Sequence, residues 1–199
     1  MNETRSPRLR PLLFLSLAFA LAACSVPSEQ PPLEGAAIGG PFTLTNQDGR
    51  KVTEQDFAGR YRLLYFGFTH CPDVCPTDLA VVGQALRRFE KSDPKRAARV
   101  APIFVSVDPE RDSPAVLKEY VSAFHPRLIG LTGTPQQVAD MTRRYGAYGA
   151  KDPESRGPAY NVNHSRLLEL IGPDGKPIAL LPYEKGAEAL AAELERWVK

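Results

Sequence analysis

Between Tyr61 and Phe89 the chain writes a buried strand directly against a helix, with two cysteines at the join, and this constrains the fold more than any other feature. Tyr61 to Phe68 is an apolar, aromatic-rich run suited to a central strand. His70-Cys71-Pro72-Asp73-Val74-Cys75-Pro76 follows at once, and then Leu79, Val82, Leu86 and Phe89 recur at helical spacing. A buried strand that runs straight into a helix requires a sheet with helices on its faces.

The rest of the chain repeats that alternation. Phe42-Thr43-Leu44 and Lys51-Val52-Thr53 flank Asn46-Gln47-Asp48-Gly49, which predicts a hairpin with a glycine in its turn. Val100 to Val107 reads as a second buried strand and Leu128 to Leu131 as a third. Ser113-Pro114 opens one helix, and Thr134-Pro135-Gln136-Gln137 opens another with the residues of a capping box. Lys151 to Asn161 lacks apolar periodicity and predicts a surface loop, with His164 at its far end leading into Leu167 to Ile171. That strand pairs with Ile178 to Leu181 across Gly172-Pro173-Asp174-Gly175, and a last helix puts Leu190, Leu194 and Trp197 on one face. The expected class is α/β: a mixed sheet flanked by helices in a thioredoxin-like order, with an N-terminal hairpin and a C-terminal hairpin plus helix.

A chain of 199 residues with 43% hydrophobic content supports one core, which places a single domain over residues 41–199. The net charge of +2 offers no electrostatic footprint for nucleic acid. Even that excess comes from Arg5, Arg8 and Arg10 against Glu3, since the formal charges beyond Ala23 cancel.

The three arginines precede an apolar run from Leu12 to Ala20 that closes on Leu21-Ala22-Ala23-Cys24, the layout of a secretory signal over residues 1–23. Its apolar run is shorter than the roughly 20 residues of a spanning helix. Leu-Ala-Ala-Cys resembles a bacterial lipobox, which implies that Cys24 is lipidated and becomes the first mature residue. Acyl chains contribute about 0.8 kcal/mol per buried methylene, so a diacylated cysteine holds a protein on a membrane. Residues 24–40, rich in Pro, Ser, Gly and Ala, read as a tether. The expected location is the extracytoplasmic face of the cell membrane.

Cys71 and Cys75 stand four residues apart, so a helix beginning at Pro72 would place their Cβ atoms about 5–6 Å from each other. A helix N-terminus favours the thiolate, the form that exchanges disulfides and binds metals. Spacing alone does not separate these two chemistries, because a disulfide accepts the same separation. A structural disulfide is disfavoured by the small closure entropy of so short a loop. Structural zinc normally takes four protein ligands, whereas two thiolates with one imidazole suit monovalent copper. Of the three histidines, His70 is expected to point away from Cys71, and His125 to cap a helix end or face solvent. His164 stands on a loop before a strand.

Three separated blocks carry a resemblance to the Sco/SenC family of copper chaperones: Gly67-Phe68-Thr69-His70-Cys71-Pro72-Asp73-Val74-Cys75-Pro76, Val105-Ser106-Val107-Asp108-Pro109-Glu110-Arg111-Asp112, and Tyr160-Asn161-Val162-Asn163-His164-Ser165. The likeness runs from Phe42 to the C-terminal helix. It implies a thioredoxin-like fold and one copper ion per chain, held by Cys71, Cys75 and His164. It further implies a role in assembling the binuclear copper A centre of cytochrome c oxidase, by copper delivery or by reduction of that centre's cysteines. The implied partners are the copper A-bearing oxidase subunit and other copper donors. The family's usual Asp before the histidine is Asn163 here, which removes a carboxylate from beside the imidazole.

Two other classes bear on the same residues. Val74-Cys75-Pro76-Thr77-Asp78 is superficially similar to a peroxiredoxin run, but Pro72 occupies the place of that family's activating threonine. A thiol-disulfide oxidoreductase without obligatory metal would use Cys71 and Cys75 as redox residues and be indifferent to His164. Such reductases carry a guiding cis-proline where Asn163-His164-Ser165 stands here, which tilts the reading toward a metallochaperone rather than a turnover enzyme. The acidic residues Asp73 and Asp108 to Asp112 either shape a docking surface or serve turns and caps.

Overall fold

The computed structural model describes Met1 and residues 29–157 and 159–199. The expected signal segment and Cys24 lie outside the described residues. No helix among those described is long and apolar enough to cross a membrane.

In chain order the strands are β1 (Thr43–Asn46), β2 (Lys51–Thr53), β3 (Tyr61–Gly67), β4 (Val100–Ser106), β5 (Ile129–Thr132), β6 (Gly149–Lys151), β7 (Val162–His164), β8 (Leu168–Ile171) and β9 (Pro177–Leu180). The helices are α1 (Val74–Ser92), α2 (Pro94–Ala98), α3 (Pro114–Ser122), α4 (Pro135–Arg144) and α5 (Ala187–Trp197). Seven strands form one mixed sheet in the order β2-β1-β5-β4-β3-β8-β9. β3, β4 and β5 are parallel, and β8 joins β3 antiparallel. Every residue of β3 and β4 is buried, as two-sided coverage by helices demands.

The two faces of β3 do different things. Tyr65 and Gly67 face the side where α1 and α5 pack together, and Tyr65 reaches Asp78 of α1. Phe66 faces the opposite side, against Tyr145 just beyond α4. Both predicted caps form: Ser113 accepts from the Val116 amide, and Thr134 and Gln137 complete a reciprocal box.

Three expectations change. Helix α1 starts at Val74 rather than Pro72, because the Cys71 amide closes a turn onto Phe68 O, 3.3 Å away, ahead of the helix. Asp73, with non-helical dihedrals, takes the flanking position. The stretch after Tyr148 is not all loop: β6 and β7 form an antiparallel ribbon with Gly149 opposite His164, so the histidine ends a strand. Strands of three residues leave too little pattern to read.

His125 is buried, neither capping nor exposed. It accepts the Arg127 amide on Nδ1 and turns Nε2 toward Glu90, 3.4 Å away, and burial holds its pKa below the ordinary value. The described part of the 24–40 stretch lies along the domain. The Leu33 amide donates to Ile178 O, the Gly39 amide donates to Arg144 O, and Glu29 pairs with Arg196. Of the two roles left open for the acidic stretch, Asp108 and Asp112 take the internal one, as buried hydrogen-bond acceptors.

Candidate metal centre

Cys75 occupies the first turn of α1 and is fully buried, whereas Cys71 lies in the turn before it and is partly buried. The Cys75 amide donates to Cys71 Sγ at 3.4 Å, so one of the helix's unpaired amides holds the outer sulfur over the first turn. Gly67 is required beneath them. A Cβ there would sit 2.8 Å from Cys75 Sγ and 3.0 Å from the rings of Phe104 and Tyr65.

His164 arrives from the end of β7, with Nε2 3.4 Å from Cys75 Sγ. Its Nδ1 lies 3.0 Å from the carbonyl oxygen of Ser165. A carbonyl can only accept, so Nδ1 carries the proton and Nε2 turns its lone pair toward the sulfur. Phe68 and Tyr65 meet the imidazole edge-on and fix its plane. The backbone carbonyl thus supplies the orientation that a carboxylate at Asn163 would otherwise provide.

One donor atom from each of Cys71, Cys75 and His164 lies within 4.8 Å of the others, the only such group among the described residues. His70 is outside it: β3 ends at Gly67, and His70 projects from the following turn with its side chain 49% exposed. The fold therefore brings together the three predicted ligands and leaves the other two histidines apart. Both cysteines are free thiols. Burial, more than the nearby Cys71, pushes the Cys75 thiol up to about 12, overriding the thiolate preference expected of a helix N-terminus. At neutral pH the Cys75 S–H donates to His164 Nε2. A soft cation would replace that shared proton and meet two sulfurs and one nitrogen.

Sequence reasoning missed the support beneath the site. Asp78, buried three residues after Cys75, accepts Tyr65 Oη at 2.7 Å and both prongs of Arg166. Tyr183 Oη donates to Arg166 O, which ties the segment after His164 to the same cluster. The available signal was an acidic residue beside Leu79 and in phase with Cys75 on an otherwise apolar helix face. Asp112, with its side chain fully buried, accepts the Thr69 amide at 3.0 Å, Thr69 Oγ1 at 2.6 Å and Ser106 Oγ at 2.6 Å, which fixes the turn ahead of Cys71. Asp108 accepts Tyr160 Oη at 2.6 Å, and Arg111 stacks 3.6 Å from the centre of the Tyr160 ring, pinning the loop between β6 and β7.

A family model described as SCO1/SenC matches residues 30–199. The chain belongs to the SCO1/SenC family. Among curated relatives, the mitochondrial SCO1 homolog 1 of Arabidopsis thaliana is 44% identical over 73% of this chain and 42% of its own length. ScoI of Bradyrhizobium japonicum, solved with copper bound, superposes with a TM-score of 0.73 at 43% identity over 81% of this chain and 99% of that one. The thioredoxin domain of a Bacteroides vulgatus thiol-disulfide oxidoreductase, at 18% identity and a TM-score of 0.55 over 81% of this chain and 96% of that one, shares the fold. The fold is thus the thioredoxin-like α/β arrangement the sequence predicts. The chain spans 42% of the length of the Arabidopsis relative and 65% of that of a mitochondrial SCO2 homolog of Mus musculus.

Proposed function

We propose that this chain is a copper metallochaperone of the cell envelope, taking up one monovalent copper ion through Cys71, Cys75 and His164. The ion is cargo. The single observation that carries the reading is the His164 ring, held by Ser165 O with its Nε2 lone pair aimed at Cys75 Sγ. A dithiol exchanger has no use for an imidazole so locked, whereas two soft sulfurs and a neutral nitrogen match a cuprous ion. Family membership and the copper-bound state of the Bradyrhizobium relative support the same choice.

The recipient under this reading is the copper A-bearing subunit of a respiratory oxidase, and other copper donors load the site. Lipidated Cys24 anchors the chain on the extracytoplasmic face of the membrane, after removal of residues 1–23. Transfer is an exchange of ligands in which a partner's donors replace Cys71, His164 and Cys75 in turn, with thiol protons returning to the sulfurs from water. Anaerobic titration of the reduced chain is expected to saturate at one cuprous ion, and Cys71→Ser, Cys75→Ser or His164→Ala to weaken binding sharply. Full binding by His164→Ala would remove the imidazole from the site. Uptake by the chain with Cys71 and Cys75 joined as a disulfide would move the site elsewhere.

A metal-independent thiol-disulfide oxidoreductase is the second reading, favoured by the free cysteine pair and by the thioredoxin-like fold. It predicts disulfide reduction that His164→Ala leaves intact.

A further inference from the structure

Cys75 is fully buried and Cys71 is the less buried residue of the pair, so an ion that enters or leaves this site meets Cys71 first. The residue before Cys71 is His70, and the two Cα atoms are about 3.8 Å apart, as in any trans peptide. The His70 ring has a defined hydrogen-bonding state. Thr69 Oγ1 gives its single proton to Asp112 Oδ1 at 2.6 Å. The same oxygen lies 3.1 Å from His70 Nδ1 and must there accept, so Nδ1 carries the hydrogen. With that edge turned inward and the side chain 49% exposed, the Nε2 lone pair is left on the solvent side.

The anchoring is one that metal-binding imidazoles use, with one nitrogen hydrogen-bonded inward and the other free. Here the supporting carboxylate, Asp112, is fully buried and also accepts the Thr69 amide and Ser106 Oγ. Its Oδ1 stands 3.6 Å from His70 Nδ1, and Thr69 Oγ1 bridges the two. His70 is nevertheless outside the group of three resident donors. We propose that His70 Nε2 is a transit ligand, binding the cuprous ion at the mouth of the site and passing it to and from Cys71. This rests on the copper reading of Cys71, Cys75 and His164. On entry the bond to the donor breaks as the bond to Nε2 forms. The bond to Cys71 Sγ then forms as the Nε2 bond breaks and the Cys71 thiol proton leaves to water. The ion stays monovalent throughout.

A transit ligand lowers the barrier in both directions and leaves the ratio of the rates alone. The test is stopped-flow transfer of cuprous ion between the reduced chain and a coloured cuprous chelator, followed both ways. His70→Ala and His70→Asn are expected to slow both rates about tenfold, equivalent to one lost contact at the crossing point. The asparagine retains an N–H donor for Thr69 but no soft lone pair, and so separates ligand loss from loss of the turn. His70→Met, which supplies a soft thioether, is expected to restore the rates. Wild-type rates in the alanine and asparagine variants would overturn the proposal, as would a methionine variant as slow as they are. A wild-type chain that takes up no cuprous ion would instead refute the copper reading, and this inference with it.

Discussion

Asp78 of α1 and Arg166, two residues beyond His164, form a two-pronged ion pair with Nη2 2.7 Å from Oδ1 and Nε 3.1 Å from Oδ2. Cys75 lies one helical turn before Asp78, so this pair clamps the segment that carries the histidine to the helix that carries the inner sulfur. Tyr65 Oη donates to the same carboxylate while its ring meets His164 edge-on. The 3.4 Å approach of Cys75 to His164 is therefore set from below by Asp78, Arg166 and Tyr65.

Asp78→Asn keeps the shape of the side chain and removes its charge. Loss of charge-assisted bonds at a buried carboxylate is expected to cost about 2–3 kcal/mol, read as a lower urea midpoint at unchanged slope. Cuprous affinity is expected to fall at least roughly tenfold in chelator competition, the usual scale for a residue that orients a metal ligand. Unchanged affinity in a destabilised variant would confine Asp78 to a structural role.

Gly67→Ala tests the packing beneath the sulfurs. The added Cβ would stand 2.8 Å from Cys75 Sγ, and Sγ is the atom freest to swing away. The variant is expected to fold, with a loss of about 1–3 kcal/mol from overpacking, and to bind copper weakly because Cys75 is turned from His164. Wild-type binding would mean that the sheet shifts and the sulfur stays.

Metal uptake is expected to release protons. Burial holds the Cys75 thiol up to about 12, so at any lower pH a cation must displace its proton. Apparent affinity therefore rises with pH, by about tenfold per unit for each proton displaced. Titration in lightly buffered solution should register the release, with one proton fewer from Cys75→Ser. Equal affinity at about pH 6 and 8 would contradict the protonated resting state.

Glu169 in β8 predicts a pH dependence of stability that is unrelated to copper. It is 1% exposed with neither carboxylate oxygen hydrogen-bonded among the described residues, and burial raises its pKa from 4.5 to about 8. Below pH 4.5 both the folded and the unfolded chain hold the proton, and this residue costs nothing further. Between 4.5 and about 8 only the folded chain holds it. Stability then falls as pH rises, by about 1.4 kcal/mol per unit. Glu169→Gln should flatten that slope in urea unfolding measured across the window, and an unchanged slope would assign it to other groups.

The order of elements was legible because its causes are local. The unbroken apolar run of β3, the Ser113 and Thr134 caps and the glycine turns each act within a few residues. The junction carrying Cys71 and Cys75 was legible for the same reason. The start of α1 was misplaced by two residues because proline at position 72 satisfies a helix start as readily as the turn that forms.

What the sequence determined by itself is therefore the α/β alternation, the placement of two thiols where a strand meets a helix, and, through three separated motifs, the family. Those motifs also implied His164 as the third ligand, and only the tertiary structure decided how its imidazole comes within reach of the thiols. Eighty-nine residues separate Cys75 from His164. Their distance is fixed by the β6–β7 ribbon, the Asp78–Arg166 pair and the tautomer that Ser165 imposes. The ribbon and the tautomer act over short stretches, but the Asp78–Arg166 pair lies beyond the reach of a local pattern, because it arises only when the segment after β7 is packed against α1.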